Sequence, residues 1–378
     1  MPALPSSSET ASLVTLFLCG DVMTGRGIDQ ILAHPSDPVL HEFYVTDARE
    51  YVALAQKIHG PIASPVHASY IWGDALEVLR SCAPDVRIVN LETSITRSEA
   101  WESKGINYRM HPANIECLAA ADIDCCVLAN NHVLDFGREG LAETLDALDG
   151  AHIASAGAGR TLHDAKAPAI LDLGAKGRVL IFGFACEDSG VPDRWAARPD
   201  ASGINWLADL SERSLQKATA QILGVAKPGD IIIASIHWGP NWGYGIDDPQ
   251  RRFAQRLIVD SGVQVVHGHS SHHAKGIEIF QGCPIFYGCG DFVNDYEGIG
   301  GHEAFRPDLV LMYCVVLDPA SRRLSTLTAV PFEIRRFSLH RVAAQDARWL
   351  ATRLDRESRP FGTRVDLNRD HTLSVRAR

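Results

Sequence analysis

The chain has no run of roughly 18 apolar residues, the length a helix needs to cross a bilayer. Its opening, MPALPSSSETAS, places no positive charge ahead of the short apolar segment that follows. Neither a membrane anchor nor a secretory signal is therefore expected, and a cytoplasmic setting is the default. No CxxC pair occurs among the nine cysteines, which argues against a thiolate zinc site. Their odd number, the adjacency of Cys125 and Cys126, and their placement mostly in apolar runs read as reduced, buried thiols and not as a disulfide framework. Positive charge is also in deficit. The net charge of −10 repels polyphosphate backbones, so no nucleic-acid partner is expected. Internal repeats of 20 to 50 residues are missing as well, which sets solenoids and propellers aside.

What is present is an ordinary globular composition: 378 residues, 46% hydrophobic and 22% charged. That length suits one large α/β domain or two smaller ones. Apolar runs of strand length recur at 13–19 (LVTLFLC), 86–90 (VRIVN), 125–129 (CCVLA), 178–185 (RVLIFGFA), 230–236 (DIIIASI) and 263–268 (VQVVHG). Such runs predict strands buried on both faces. Helical periodicity fills 73–82, 113–121, 137–150, 211–224 and 249–262, mostly with Gly or Pro near an end. The alternation predicts an α/β fold. From about 276 short strands and turns take over, and a second, more antiparallel sheet is the simplest account. Residues 36–70 and 93–112 read as long loops, the first as an insertion or lid. Residues 341–357 read as a final helix followed by an unassigned polar tail.

The strand ends carry the chemistry. In open α/β sheets, ligands bind beyond the carboxyl ends of the strands. Here those ends deliver Asp21, Glu92, Asn131 with His132, His237 and His269 to one edge. Each alone has an ordinary reading: a helix N-cap, a solvated carboxylate, a turn residue, a packed histidine. Five strand ends all finishing in oxygen or nitrogen donors are hard to explain by capping alone. The mixed set suits Mn, Fe, Zn or Mg, and more than four donors suggests two cations. The segment VHGHSSHH adds His267, His272 and His273 to His269. His269 and His272 are the chosen ligands, with His267 facing the sheet interior and His273 outward. Arg26 and Arg109 are candidates to clamp an anionic substrate, and Trp238 to wall the pocket. Gly157-Ala158-Gly159 is followed by Leu162, so a dinucleotide loop is incomplete and a plain turn is the reading.

The blocks GDVMTGR (20–26), NLET (90–93), ANNHVLDFG (129–137), AGAGRTLHDAKAPAI (156–170), IHWG (236–239) and GHSSHHAKGIEIFQGCPIFYGCGDFV (268–293) follow one another in order. In that order the chain resembles the capsule-synthesis, or poly-γ-glutamate biosynthesis, CapA family. That family is in turn similar to the calcineurin-like metallophosphoesterases. The resemblance covers residues 13–335, leaving 336–378 as a C-terminal helix and tail. It implies a four-layer α-β-β-α sandwich of two mixed sheets with one or two divalent metals at their shared edge. Asp21 would be a ligand, Glu92 the bridging carboxylate, Asn131 and His237 ligands of the second metal, and His269 and His272 the last histidines. His132 would act on the substrate as general acid, with Asp135 orienting it.

Four departures stand out. Met23 occupies the place of a histidine, and Glu92 that of an aspartate. His269-Ser270-Ser271-His272 replaces His-Pro-His, and Gly288-Cys289-Gly290-Asp291 replaces Ser-Leu-Gly-Asn. The resemblance implies a metal-dependent hydrolase acting on an anionic small molecule or peptide, through a phosphoester or a γ-glutamyl-type amide. The alternative, favoured by Met23, is a non-catalytic accessory or binding protein in polymer synthesis.

Overall fold

A computed structural model describes residues 13–378. The expectation about a leader or anchor rests on the first twelve residues, which lie outside that range. No helix among the described residues is long and apolar enough to cross a membrane, and all nine cysteines are free.

Strand Val14–Val22 sits inside a ten-stranded sheet. On one side of it lie the parallel strands Val86–Leu91, Cys125–Val127 and Ala154–Ala156. On the other lie the antiparallel strands Leu309–Asp318 and Arg323–Arg335, then the C-terminal hairpin Thr363–Leu367 and Leu373–Ala377. The second sheet has seven strands. Its parallel centre is Arg178–Cys186, Ile231–His237, Val265–His269 and Cys283–Phe286. Strands Ile277–Phe280 and Ala169–Asp172 pair antiparallel at its flanks. Both sheets are therefore mixed.

The late strands do not form a sheet of their own, as their composition suggested. Ile277–Phe280 and Cys283–Phe286 extend the second sheet, whereas Leu309–Asp318 crosses back to pair with Val14–Val22. Pairing partners so far apart in sequence leave no local signal. The tail beyond the final helix likewise forms the edge hairpin.

Alternation along each strand divides the core. Leu16, Leu18, Ile88 and Val127 of the first sheet pack against Ile181, Ile233 and Val265 of the second, which sets the sheets face to face. The outer face of the first sheet, through Phe17, Val89 and Cys126, meets helices Arg49–His59, Ala75–Cys82 and Gly137–Gly150. The outer face of the second, through Phe182, Ala234 and Val266, meets Glu212–Leu223 and Asp248–Ser261. Helix Ala344–Ser358 closes the inner layer with Ala347, Leu350, Ala351 and Leu354. The result is the four-layer α-β-β-α order. Residues 36–70 hold helix Arg49–His59, whose Tyr51 and Ala55 are buried in the outer core.

Candidate metal centre

Three strand ends from the two sheets meet in one place. Asp21 closes Val14–Val22, His237 closes Ile231–His237 and His269 closes Val265–His269, the last two being register partners. All three are fully buried, and a ligand atom from each lies within 4.8 Å of the others. Asn130 and Asn90 fix the carboxylate from behind. Asn130 Nδ2 donates to Asn90 Oδ1 at 3.1 Å, and Asn90 Nδ2 to Asp21 Oδ1 at 2.7 Å.

A hydrogen-bond relay sets the protonation of the histidines. His267 Nε2 lies 2.6 Å from the carbonyl oxygen of Cys19, across the gap between the sheets. A carbonyl only accepts, so the proton is on Nε2. Burial draws the His267 pKa down to about 4, so the ring is neutral and its Nδ1 accepts from Ser235 Oγ at 2.9 Å. That hydroxyl, its proton spent, accepts from His269 Nε2 at 2.9 Å. Burial and the neighbouring imidazoles hold His269 neutral as well. Its Nδ1 is therefore a lone pair turned toward Asp21 and His237, 3.9 Å from Asp21 Oδ1 and 2.8 Å from His237 Nδ1. His237 must donate across that last contact, which leaves its Nε2 a bare acceptor, buried and without a partner. Glu92 Oε2 and Asn131 Oδ1 are buried without partners too. Orphaned buried acceptors each cost roughly 1–3 kcal/mol, a cost that a cation held by Asp21, His237 and His269 would relieve for those within its reach. The donor set fits a divalent metal.

His132 lies alongside. Its Nδ1 is 2.6 Å from Asp135 Oδ2 and its Nε2 is 3.6 Å from Glu92 Oε1. Asp135 also accepts from the Tyr108 amide at 2.6 Å and from Lys104 Nζ at 2.7 Å. Lys104 reaches the Asn131 carbonyl as well. Burial pulls the His132 pKa down to about 4, Asp135 opposing and Lys104 reinforcing. At neutral pH the ring is neutral, with its proton on Nδ1 toward Asp135 and a lone pair on Nε2.

The sequence from residue 15 to 296 matches the family of bacterial capsule synthesis protein PGA_cap. The chain belongs to this capsule-synthesis family. A Mycobacterium tuberculosis protein named "probable polyglutamine synthesis accessory protein" is 49% identical over 365 residues, 96% of either chain. The PGA biosynthesis protein CapA of Bacillus subtilis is 26% identical over 220 residues, 56% of this chain and 54% of that one. Among solved structures, a phosphatase from Mycoplasma pneumoniae aligns with TM-score 0.46 and 11% identity, over 84% of this chain and 93% of the other.

Not every residue expected at the site of this capsule-synthesis family member is there. His272 turns aside from the triad: its Nδ1 meets Asp291 Oδ1 at 2.9 Å and its Nε2 meets Asn241 at 3.0 Å. His273, expected to face outward, is buried against Tyr244 and Phe305. Arg26 is 3% exposed and spends its guanidinium on Asp295, Glu42 and Tyr51, with Tyr51 and Tyr108 over its faces. A surface clamp it is not, because the 36–70 segment packs over it. Arg109 binds Glu99 and the carbonyls of Ser98 and Asp37. Trp238 follows His237 on the strand and so points to the opposite face, where it is 1% exposed in the outer core and donates to the Tyr287 carbonyl. Sequence reading missed Ser235 and Lys104 as site residues. Ser235 could have been found by alternation, lying two residues before His237 on the same face. Lys104 sits in a long loop with no pattern to place it.

Proposed function

We propose that this protein is a divalent-cation-dependent hydrolase acting on an anionic substrate, a phosphoester first and a γ-glutamyl-type amide as the alternative bond. The observation that carries the reading is the meeting of ligand atoms of Asp21, His237 and His269 within 4.8 Å, where the relay from Cys19 through His267, Ser235 and His269 leaves His237 Nε2 a buried acceptor without a partner. Asp21, His237 and His269, with Asn131, would hold the cation, and this mixed N/O set suits Mn, Fe or Zn. Such a cation supplies Lewis acidity, polarising a phosphoryl or acyl oxygen and lowering the pKa of water.

His132 moves the proton. Its neutral Nε2 accepts one, the imidazolium is stabilised by Asp135 through Nδ1–H, and the ring then returns the proton to the departing oxygen or nitrogen. Lys104, its side chain 24% exposed, places positive charge beside the Asn131 carbonyl and Asp135 and favours an anionic group at the mouth.

The test is hydrolysis of bis(p-nitrophenyl) phosphate and of γ-glutamyl p-nitroanilide by manganese- or zinc-reconstituted protein. Turnover of one of them is expected, abolished by chelation or by His237→Ala and reduced about 10²–10⁴-fold by His132→Asn. Metal-loaded protein that hydrolyses neither would refute catalysis on these bonds. It would favour the second reading, an accessory role in polymer synthesis, which the name of the 49% identical relative supports.

A further inference from the structure

Strand Asp291–Val293 pairs parallel to the end of Val14–Val22, and the chain leaving it brings Tyr296 up to Met23. Val22 packs in the outer core, and its neighbours Asp21 and Met23 turn to the opposite side. The Tyr296 hydroxyl meets Met23 Sδ at 3.6 Å, and its ring stands edge-on to that of His272 with centroids 5.3 Å apart. Tyr108 approaches from the other direction. Its ring is edge-on to His132, 4.5 Å between centroids, and its hydroxyl is 2.8 Å from that of Tyr296. The hydroxyl pair therefore links the surroundings of His132 to the residue two positions past Asp21. Arg26 covers both phenol rings, 4.6 and 5.7 Å from their centroids, and the Tyr296 amide donates to Asn294 Oδ1 at 3.1 Å, which fixes the phenols in place.

Burial decides the direction of the hydrogen bond between the two hydroxyls. Tyr108 is 1% exposed, and among the described residues its hydroxyl meets only the Tyr296 oxygen. A buried hydroxyl that donates to nothing forfeits a hydrogen bond, so Tyr108 donates and Tyr296 accepts. The Tyr296 proton is then directed at Met23 Sδ, and a thioether is a weak acceptor. A fixed donor is thus held beside the centre on an acceptor that an oxygen would readily outcompete. Tyr296 also lines a cavity of about 340 Å³ with Asn294, His302 and Arg306, a volume within the range of small-molecule sites.

We propose that the Tyr296 hydroxyl is a substrate contact, donating to an oxygen of the anionic group on which the metal centre acts. The assignment rests on the hydrolase reading above and deepens it. Tyr296 keeps its proton throughout, while His132 accepts and returns the one that moves. A donor oriented before the substrate arrives stabilises charge that develops on that oxygen, and loss of one such donor costs about 10²–10³ in rate. Tyr108 is a positioning residue, acting through the Tyr296 oxygen.

The test compares wild type, Tyr296→Phe and Tyr108→Phe, each reconstituted with manganese, on whichever of the two chromogenic substrates wild type turns over. Tyr296→Phe is expected to lower kcat about 10²-fold with KM nearly unchanged, and to match wild type in manganese stoichiometry and denaturant midpoint. Orthovanadate, a five-coordinate mimic of phosphoryl transfer, is expected to bind that variant at least about tenfold more weakly in calorimetry. Tyr108→Phe leaves the Tyr296 hydroxyl in place but unpinned, and is expected to lose about tenfold in kcat. It carries the test if Tyr296→Phe does not fold, and wild-type kcat in it would then overturn the assignment. Wild-type kcat in folded Tyr296→Phe would overturn the assignment and leave the hydrolase reading standing. A fall in kcat that tracks lost manganese or lost stability would make Tyr296 structural and overturn it as well. Wild type that turns over neither substrate would overturn the hydrolase reading, and this assignment with it.

Discussion

Burial disfavours negative charge on the adjacent pair Asp21 and Glu92, so Glu92, and Asp21 below about pH 7, hold protons that a cation must displace. Burial and the adjacent Asp291 push the Asp21 pKa up to about 7, and burial with Asp21 and Asp291 raises Glu92 well above the carboxylate range. His237 and His269 are already neutral, because burial lowers both. A raised carboxyl is protonated below its pKa, so cation binding near pH 7 expels protons from the acids and not from the imidazoles. Calorimetry in buffers of different ionisation enthalpy should report release of about one to two protons, with affinity rising as pH increases through about 7. No proton release would contradict this electrostatic account. Ser235→Ala removes the group that fixes the His269 tautomer and should weaken metal binding about 10–100-fold at unchanged stoichiometry. At this scale the sequence was informative where a donor ends a strand, since strand runs and their last residues can be read together. Asp291 is set opposite Asp21 by a parallel pairing between positions 270 apart, which no local pattern shows.

Elements place these residues by alternation. Along Ile231–His237, Ser235 and His237 face the centre while Trp238 turns away into the outer core. Helix Gly137–Gly150 and the short parallel pair Ser94–Ile95 with Arg109–Met110 bracket the loop that carries Lys104. Lys104→Met should slow hydrolysis of an anionic ester while leaving metal stoichiometry intact, a split that separates it from the ligands. Arg26 behaves differently. Its removal leaves Asp295 and Glu42 buried without their cation, so Arg26→Ala should destabilise the fold by about 3–5 kcal/mol, read by denaturant unfolding, through lost structure and not lost chemistry. The sequence suggested an anion clamp there because an arginine near a strand end looks the same whether solvent or Tyr51 lies over it. Only packing by residues 36–70 distinguishes the two.

The whole molecule joins two sheets at the point where chemistry is placed, with the His267–Cys19 contact crossing between them. Strands from both halves of the chain complete the first sheet, so the centre depends on the late strands Leu309–Asp318 and Asp291–Val293 beside Val14–Val22. The α/β class was legible from alternating runs, and the four-layer order only from the family resemblance. Which late strand joined which sheet was not, because antiparallel additions to either edge have the same local pattern. A cation bound by both sheets should couple their stability: at about 100 times its dissociation constant it would add about 2.7 kcal/mol to unfolding. The most direct measurement is an anomalous difference map from a manganese-soaked crystal. A peak bonded to Asp21, His237 and His269 is the expected result. Ordered side chains with no peak among them, at saturating manganese, would contradict the metal centre on which the proposed function stands.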